Sequence, residues 1–318
     1  MIVSEKIINS LQPIINSSKH VFLNKENIKK IAKEFVNIKI PNWNNDLQFI
    51  GTPEETAQYY FFLDSINFCF WAPKDQEKWH YKIDNKWISG YYAYSRAIKD
   101  AFLKDKRFFD AEYLSNISEQ DFKNIFKGKN ELLLLNERLL IIRENFSILK
   151  KKFNGKAIKI LEQAENDTDK FVQILIENFP SFKDIVEYEG QQFYFLKRAQ
   201  IFPSDLFFTN IKELRLSKID HLTVFSDYKL PQLLESFGIL KYSDELNSDI
   251  INEKLIPKNS SRELELRANS VIACELIKDE LIHLRRNITA NELDWILWVK
   301  AKEKKFTKPH HKTLTTFY

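Results

Sequence analysis

The chain has 318 residues, 44% of them hydrophobic and 29% charged, with a formal net charge of +4. This is ordinary globular usage with ample apolar material for a core, and the small charge neither requires nor excludes a nucleic-acid partner. Only six Gly and nine Pro occur, too few for a turn-rich β-sandwich, and no Gly-rich phosphate loop is present.

In chain order, Asn24 is placed to cap a helix NKENIKKIAKEFVN, with Ile28, Ile31, Ala32 and Phe35 on one face. Thr52-Pro53-Glu54-Glu55 carries a cap, a Pro at the first helical position and a Glu at the third. The following stretch to Trp71 is apolar nearly all round, so it reads as a buried helix in which Asp64 and Asn67 need partners. A hairpin is expected near 79–89, turning at Asp84-Asn85, then a helix from Gly90. Residues 130–153 and 156–178 read as two long amphipathic helices. A second hairpin is expected near 184–195, turning at Glu189-Gly190. A helix with a break near Pro203 follows it. Further helices are expected over 231–239, 261–284 and 290–301, the second opened by a Ser260/Glu263 capping box. No repeat, low-complexity linker or composition shift divides the chain. The expected fold is mainly α: a single α-rich domain over 1–318 with one or two small β-hairpins.

Cys69 and Cys274 sit inside apolar patterns without disulfide or metal-type spacing, as in a reducing compartment. The N-terminal residues lack the features of a signal peptide, and runs such as Leu132 to Leu135 are far too short to span a bilayer. A cytoplasmic protein without membrane contact is expected. The six histidines are scattered, His310-His311 lies apart from any acid or Cys, and no metal site is expected. The lysines at 300, 302, 304 and 305 read as a solvated surface.

Three polar constellations stand in apolar settings. Lys197-Arg198 with Gln200 and Asp205 can hold a phosphate or form a structural ion-pair cluster. Asp227, in Phe225-Ser226-Asp227-Tyr228, is a partly desolvated carboxylate, or else Ser226 or Asp227 merely caps the helix begun by Pro231. Asp294 stands beside Trp295 and four residues before Trp298. Helical geometry puts a carboxylate and an indole on one wall, or leaves an exposed helix acid. Aromatics reach 14%, which suits a bulky core and also a pocket for a flat ligand.

These constellations occur, in order, in a series of segments that resembles the queuosine salvage protein family. The matching pieces include LDSINFCFW (63–71), GYYAYSRAIKDAF (90–102), FLKRAQIFPSDL (195–206), HLTVFSDYKLPQLLESFGILKYSDEL (221–246), LDWILWVKAK (293–302) and KPHHKTLTTFY (308–318). Ser18-Lys19-His20-Val21 resembles the family's short His-Val segment. The chain departs from the pattern at Ser226, where the family has Ala, at Lys229, where it has Arg, and at Asn259-Ser260, where it has Gly-Ser. The resemblance implies a fold like that of helix-hairpin-helix DNA glycosylases. It also implies hydrolysis of queuosine 5′-monophosphate to queuine and ribose 5-phosphate without metal or organic cofactor. Carried over by position, the catalytic Asp falls on Asp227. Base and sugar contacts fall on His20, Phe225, Ser226 and Asp294, with Lys197 as a further candidate; for stacking on the flat base, Phe225 and Trp298 are the candidates. The expected partner is a small-molecule nucleotide, not a nucleic acid. Two other readings stay open: a glycosylase acting on a base within DNA or RNA, and a non-enzymatic helical interaction module. The first requires a continuous basic groove, the second an exposed apolar patch.

Overall fold

The computed structural model describes residues 2–42 and 46–318. Helix α1 (Val3–Ser17), absent from the expectations, buries Val3, Ile7, Leu11 and Ile14 along one stripe. Asn24 caps α2 (Lys25–Phe35) by accepting from the N–H groups of Glu26 and Asn27. The capping box of α3 (Pro53–Ser65) forms in full: Glu55 N–H donates to Thr52 Oγ1 at 3.2 Å, and Thr52 N–H donates to Glu55 Oε2 at 3.1 Å.

Every residue of α3 from Thr56 to Ser65 is buried. The helix stops there rather than running to Trp71, and two buried arginines explain how. Arg198 donates to Asp64 O and Ser65 O, and Arg138 donates to Ile66 O, Phe68 O and Cys69 O. Together they satisfy the carbonyls that a continuing helix would have bonded, and they place positive charge at a helix C-terminus. The segment 66–71 is thereby freed to bend toward the functional site.

Both expected hairpins are present: β2 (His80–Ile83) with β3 (Lys86–Ser89), and β4 (Ile185–Tyr188) with β5 (Gln191–Tyr194). Positive φ at Asp84 and Asn85, and at Glu189 and Gly190, gives their tight turns. A third antiparallel pair was not expected. It joins β1 (Val21–Leu23) to β6 (Leu240–Tyr242), residues far apart in sequence.

Helices α4 (Tyr91–Lys104), α5 (Ala111–Ser115), α6 (Glu119–Ile125) and α7 (Leu135–Lys152) follow the first hairpin. The expected helix over 156–178 is two, α8 (Ile158–Gln163) and α9 (Thr168–Asn178). Left-handed Glu165 and Asn166 and the Asp167 cap divide them. Helix α10 (Lys197–Phe208) contains Pro203 without the expected break. Helices α11 (Lys229–Ser236), α12 (Asp244–Ile251), α13 (Ser261–His283) and α14 (Ala290–Glu303) complete the set. One cluster of buried side chains runs from Val3 to Tyr318. Among the described residues, no helix is long and apolar enough to cross a membrane.

Helix α13 is the buried axis. Its Glu265 Oε2 accepts from the N–H groups of Lys19, His20 and Val21 at 3.0, 2.6 and 2.9 Å, which locks β1 in place. Arg267 makes a two-bonded contact with Asp184 at 3.0 and 2.6 Å. The Ser260 half of the expected capping box forms, but Glu263 does not return to Ser260. It accepts instead from Tyr318 Oη at 2.8 Å and from Asn259 N–H. The C-terminal segment is thus threaded inward, and Tyr318 is buried on the core.

Candidate active site

A cavity of about 320 Å³ opens where α10, the segment 225–230, α14, the bend after α3, the start of α4 and the C-terminal segment meet. That volume suits a small organic ligand. Phe68, Phe70, Tyr91, Phe225, Trp295 and Trp298 supply aromatic wall. Trp295 and Trp298 stack at 5.1 Å with ring planes 13° apart, and Tyr91 meets Trp298 edge-on at 5.7 Å. The start of α4 is brought here by Gly90, whose φ of +76° makes the turn from β3 into the helix.

Three carboxyls line the cavity: Asp205, Asp227 and Asp294. Asp227 Oδ1 accepts from the N–H groups of Lys229 and Leu230 at 2.7 and 3.0 Å. It therefore satisfies the first turn of α11, as the capping alternative required. Its Oδ2 has no hydrogen-bond partner among the described residues. One oxygen fixes the side chain and the other is left for a ligand, so the two alternatives for Asp227 are compatible. Asp294 Oδ1 accepts from Phe225 N–H at 2.8 Å. That bond ties α14 to the segment carrying Asp227. Burial pushes the Asp294 carboxyl up to about 7; the Phe225 N–H opposes this, Asp227 adds to it, and Lys197 opposes it.

Lys197 is buried, its Nζ donates to Asn67 O at 3.0 Å, and it lines the same cavity. Burial lowers its pKa, while Asp227, Asp64 and Asp294 support its charge. Its neighbours in sequence do something else. Arg198 donates only to backbone carbonyls, of Asp64, Ser65 and Ser181. Gln200 accepts from Thr223 and donates to Phe195 O. The expected phosphate-or-structure cluster therefore splits, with Lys197 and Asp205 at the cavity and Arg198 and Gln200 in the frame.

The outer part of the cavity is basic. Lys78, Lys302 and Lys304 are exposed and Lys229 is half-buried, and all four line it. None of the four has a carboxylate within ion-pair distance among the described residues. Lys229 is pushed down to about 8, first by burial and then by Lys78, with Lys302 adding to Lys78 and Asp227 opposing. Lys302 Nζ stands over the rings of Tyr92 and Trp298 at 4.9 and 5.2 Å. Lys302 and Lys304, read from sequence as a solvated surface, are exposed and also line the cavity. α14 ends beside the cavity, which brings Lys302 and the following Lys304 to its lining.

Of the residues expected at the site, Asp227, Asp294, Phe225, Lys197 and Trp298 converge. Ser226 is buried beneath, its Oγ donating to Arg267 O at 3.2 Å. His20 stands outside the cavity, its Nδ1 3.4 Å from Ser243 Oγ at the edge of β1 and β6. It does not meet Asp227 and Asp294. Sequence reasoning named Asp205 only within the phosphate-or-ion-pair cluster and missed Asn67, Lys78, His310 and Tyr318 as lining residues. His310 is buried against Tyr228, ring centres 4.5 Å apart, and burial holds its pKa well below the usual imidazole range. The one available signal was the run of polar residues in Lys308–Tyr318, which only tertiary packing turns inward.

The chain matches the family described as queuosine salvage protein over residues 47–318. It is 32% identical over 317 residues to the queuosine 5′-phosphate N-glycosylase/hydrolase of Sphaerobacter thermophilus, covering 98% of this chain and 97% of that one. It is 33% identical to the protein of the same name from Dictyostelium discoideum, with 95% of each chain covered. It is 29% identical to that of Mus musculus, with 96% of each covered.

Proposed function

This chain belongs to the queuosine salvage protein family, and from that premise we propose that it hydrolyses the N-glycosyl bond of queuosine 5′-monophosphate, releasing queuine and ribose 5-phosphate. The observation that carries the reading is the convergence of Asp227, with a free carboxylate oxygen, and Asp294 in one aromatic cavity whose opening is lined by lysines without a carboxylate partner among the described residues.

Breaking this bond builds positive charge on the ribose as an oxocarbenium-like species. A carboxylate on the face away from the leaving base stabilises that charge or attacks it. Asp227 Oδ2 has that role here, and its Oδ1 is held by two backbone N–H groups so that no reorientation is needed. The base is a 7-deazaguanine and lacks the N7 at which a departing purine is protonated. Activation has to come through its other edges. Asp294 accepts the adjacent N–H donors of the guanine-like edge. Phe225 and Trp298 offer ring faces for stacking, which contributes roughly 1–3 kcal/mol per base. Lys78, Lys229 and Lys302 receive the dianionic 5′-phosphate at the opening, where it relieves their mutual repulsion. Lys197 supplies interior charge compensation for the three carboxyls. Ser226 acts as a positioning residue, holding the Asp227 segment to α13. His20 makes no substrate contact in this scheme. Water and side chains are its only reactants besides the nucleotide.

The scheme treats the chain as one domain in the cytoplasm, where free buried Cys69 and Cys274 stay reduced. The helical scaffold with its small strand pairs supports kinship with helix-hairpin-helix DNA glycosylases. A glycosylase that takes its base from DNA or RNA is the rival reading, because the same carboxylate chemistry serves both. Incubation with queuosine 5′-monophosphate should release free queuine, while duplex DNA should bind only weakly and lose that binding steeply with salt. Salt-resistant duplex binding without queuine release would favour the rival.

A further inference from the structure

We propose that Asp205 works as a neutral carboxylic acid that donates a hydrogen bond to the departing base. The inference rests on the proposed N-glycosidase reading and adds a residue to it.

Asp205 lies on α10 and is 6% exposed, yet it lines the cavity. Its Oδ2 is fully buried without a hydrogen-bond partner, and neither of its side-chain oxygens is bonded among the described residues. Buried polar groups are nearly always partnered, and Asp205 borders the cavity with neither oxygen bonded, so a ligand atom in the cavity is the partner open to its carboxyl. Asp64, on α3, is fully buried and does not line the cavity. Its Oδ1 accepts from Asn67 Nδ2 at 3.3 Å and its Oδ2 is also orphaned.

The groups facing Asp205 can be named by element. They are Asp64 and Tyr59 from α3, Tyr91 from α4, Asp294 from α14, and Lys197 from its own helix. Only Lys197 favours ionisation, and its Nζ is committed to Asn67 O and shared among several carboxyls. Burial holds Asp205 far above the usual carboxylate range, with Asp64 and Asp294 adding to the effect.

A neutral carboxyl is a donor where a carboxylate is only an acceptor. The guanine-like edge carries both kinds of group. Asp294 takes its N–H donors, which leaves the adjacent carbonyl oxygen in need of a donor. As the C1′–N bond breaks, its electron pair moves onto the base and that oxygen gains charge. The hydrogen bond from Asp205 tightens, and the proton stays on Asp205. Water then completes the reaction, its oxygen bonding C1′ and one proton going to the base nitrogen.

The test is the pH dependence of kcat at saturating queuosine 5′-monophosphate for wild type, Asp205→Asn, Asp205→Ala and Asp64→Asn. Saturation removes the titration of Lys229, which acts on nucleotide affinity. An amide keeps the shape and the donor, so Asp205→Asn should stay within about tenfold of wild type at pH 7 and lose the alkaline fall in kcat. Asp205→Ala should fall by about a hundredfold, the scale of one lost oriented donor. Asp64→Asn removes a carboxyl that, once ionised at alkaline pH, adds to the effect of burial on Asp205, so its alkaline fall should move to lower pH. Asp205→Asn falling as far as Asp205→Ala, or keeping the wild-type alkaline fall, would overturn the inference. Queuine binding by calorimetry on Asp205→Asn shows whether the cavity is intact. A folded wild type that releases no queuine would remove the N-glycosidase reading, and this one with it.

Discussion

Asp227→Asn separates two jobs that one side chain performs. Oδ1 accepts from Lys229 and Leu230 N–H at the start of α11, and an asparagine Oδ1 can accept both bonds as well. Stability should therefore change by only a few tenths of a kcal/mol. The charge on Oδ2 is removed. If it faces the anomeric carbon, its value is realised in the transition state far more than in the ground state. Single-turnover release of queuine should fall by about a hundredfold or more, while nucleotide affinity stays within about tenfold. Asp227→Ala supplies the contrast. It should lose a similar factor in rate and also the cap, about 1 kcal/mol. For 318 residues, an unfolding entropy near 2.1 cal/mol/K per residue converts that to about 1.5 °C in Tm. The assay is stopped-flow or quench with enzyme in excess, alongside calorimetric unfolding. An Asp227→Asn protein that turns over within tenfold of wild type would refute the catalytic assignment and leave Asp227 as a cap alone.

Asp294 has its carboxyl raised to about 7 by burial, and base recognition needs it ionised. Queuine affinity should therefore weaken as pH falls below 7, by up to about tenfold per unit, and Asp294→Asn should bind weakly with a flat pH profile in calorimetry. Lys229→Gln should raise KM for the 5′-monophosphate by about ten- to a hundredfold, on the scale of one charge-assisted hydrogen bond. It should leave KM for the unphosphorylated nucleoside nearly unchanged, and a nucleoside effect of equal size would place the phosphate elsewhere. Asp64, raised to about 8 by burial, holds a proton in the folded protein that the unfolded chain has released above pH 4. Its contribution to stability is therefore lost as pH rises from 4 through 8, and Asp64→Asn should raise Tm more at pH 8 than at pH 5. Arg267→Met leaves Asp184 buried without its partner and should cost about 3–5 kcal/mol in urea unfolding.

Local signals were legible where a few adjacent residues decide the structure. Asn24, Thr52 with Glu55, and the turns at Asp84-Asn85 and Glu189-Gly190 all act as read, because caps and tight turns depend on neighbours in sequence. Signals failed where the deciding partner is distant. α3 ends at Ser65 because Arg138 and Arg198 take its carbonyls, and nothing in residues 66–71 announces that. The β1–β6 pair has three residues a side, too short for any period. The Ser260/Glu263 box is half made because Tyr318 draws Glu263 away. At the site, Asp227 and Asp294 stood out as acids among aromatics. Asp205 stood out only as a member of the cluster with Lys197, Arg198 and Gln200, because which of those four turn to the cavity depends on the face of α10 that packs inward. Lys302 and Lys304 look like a solvated run until the end of α14 is seen to border the cavity.

The measurement that bears most directly on the whole account is a single-turnover reaction with the purified protein in excess over queuosine 5′-monophosphate. Free queuine and ribose 5-phosphate should appear at one rate and in equal amounts. Persistence of the intact nucleotide in the presence of folded protein, or release of queuine without ribose 5-phosphate, would contradict it.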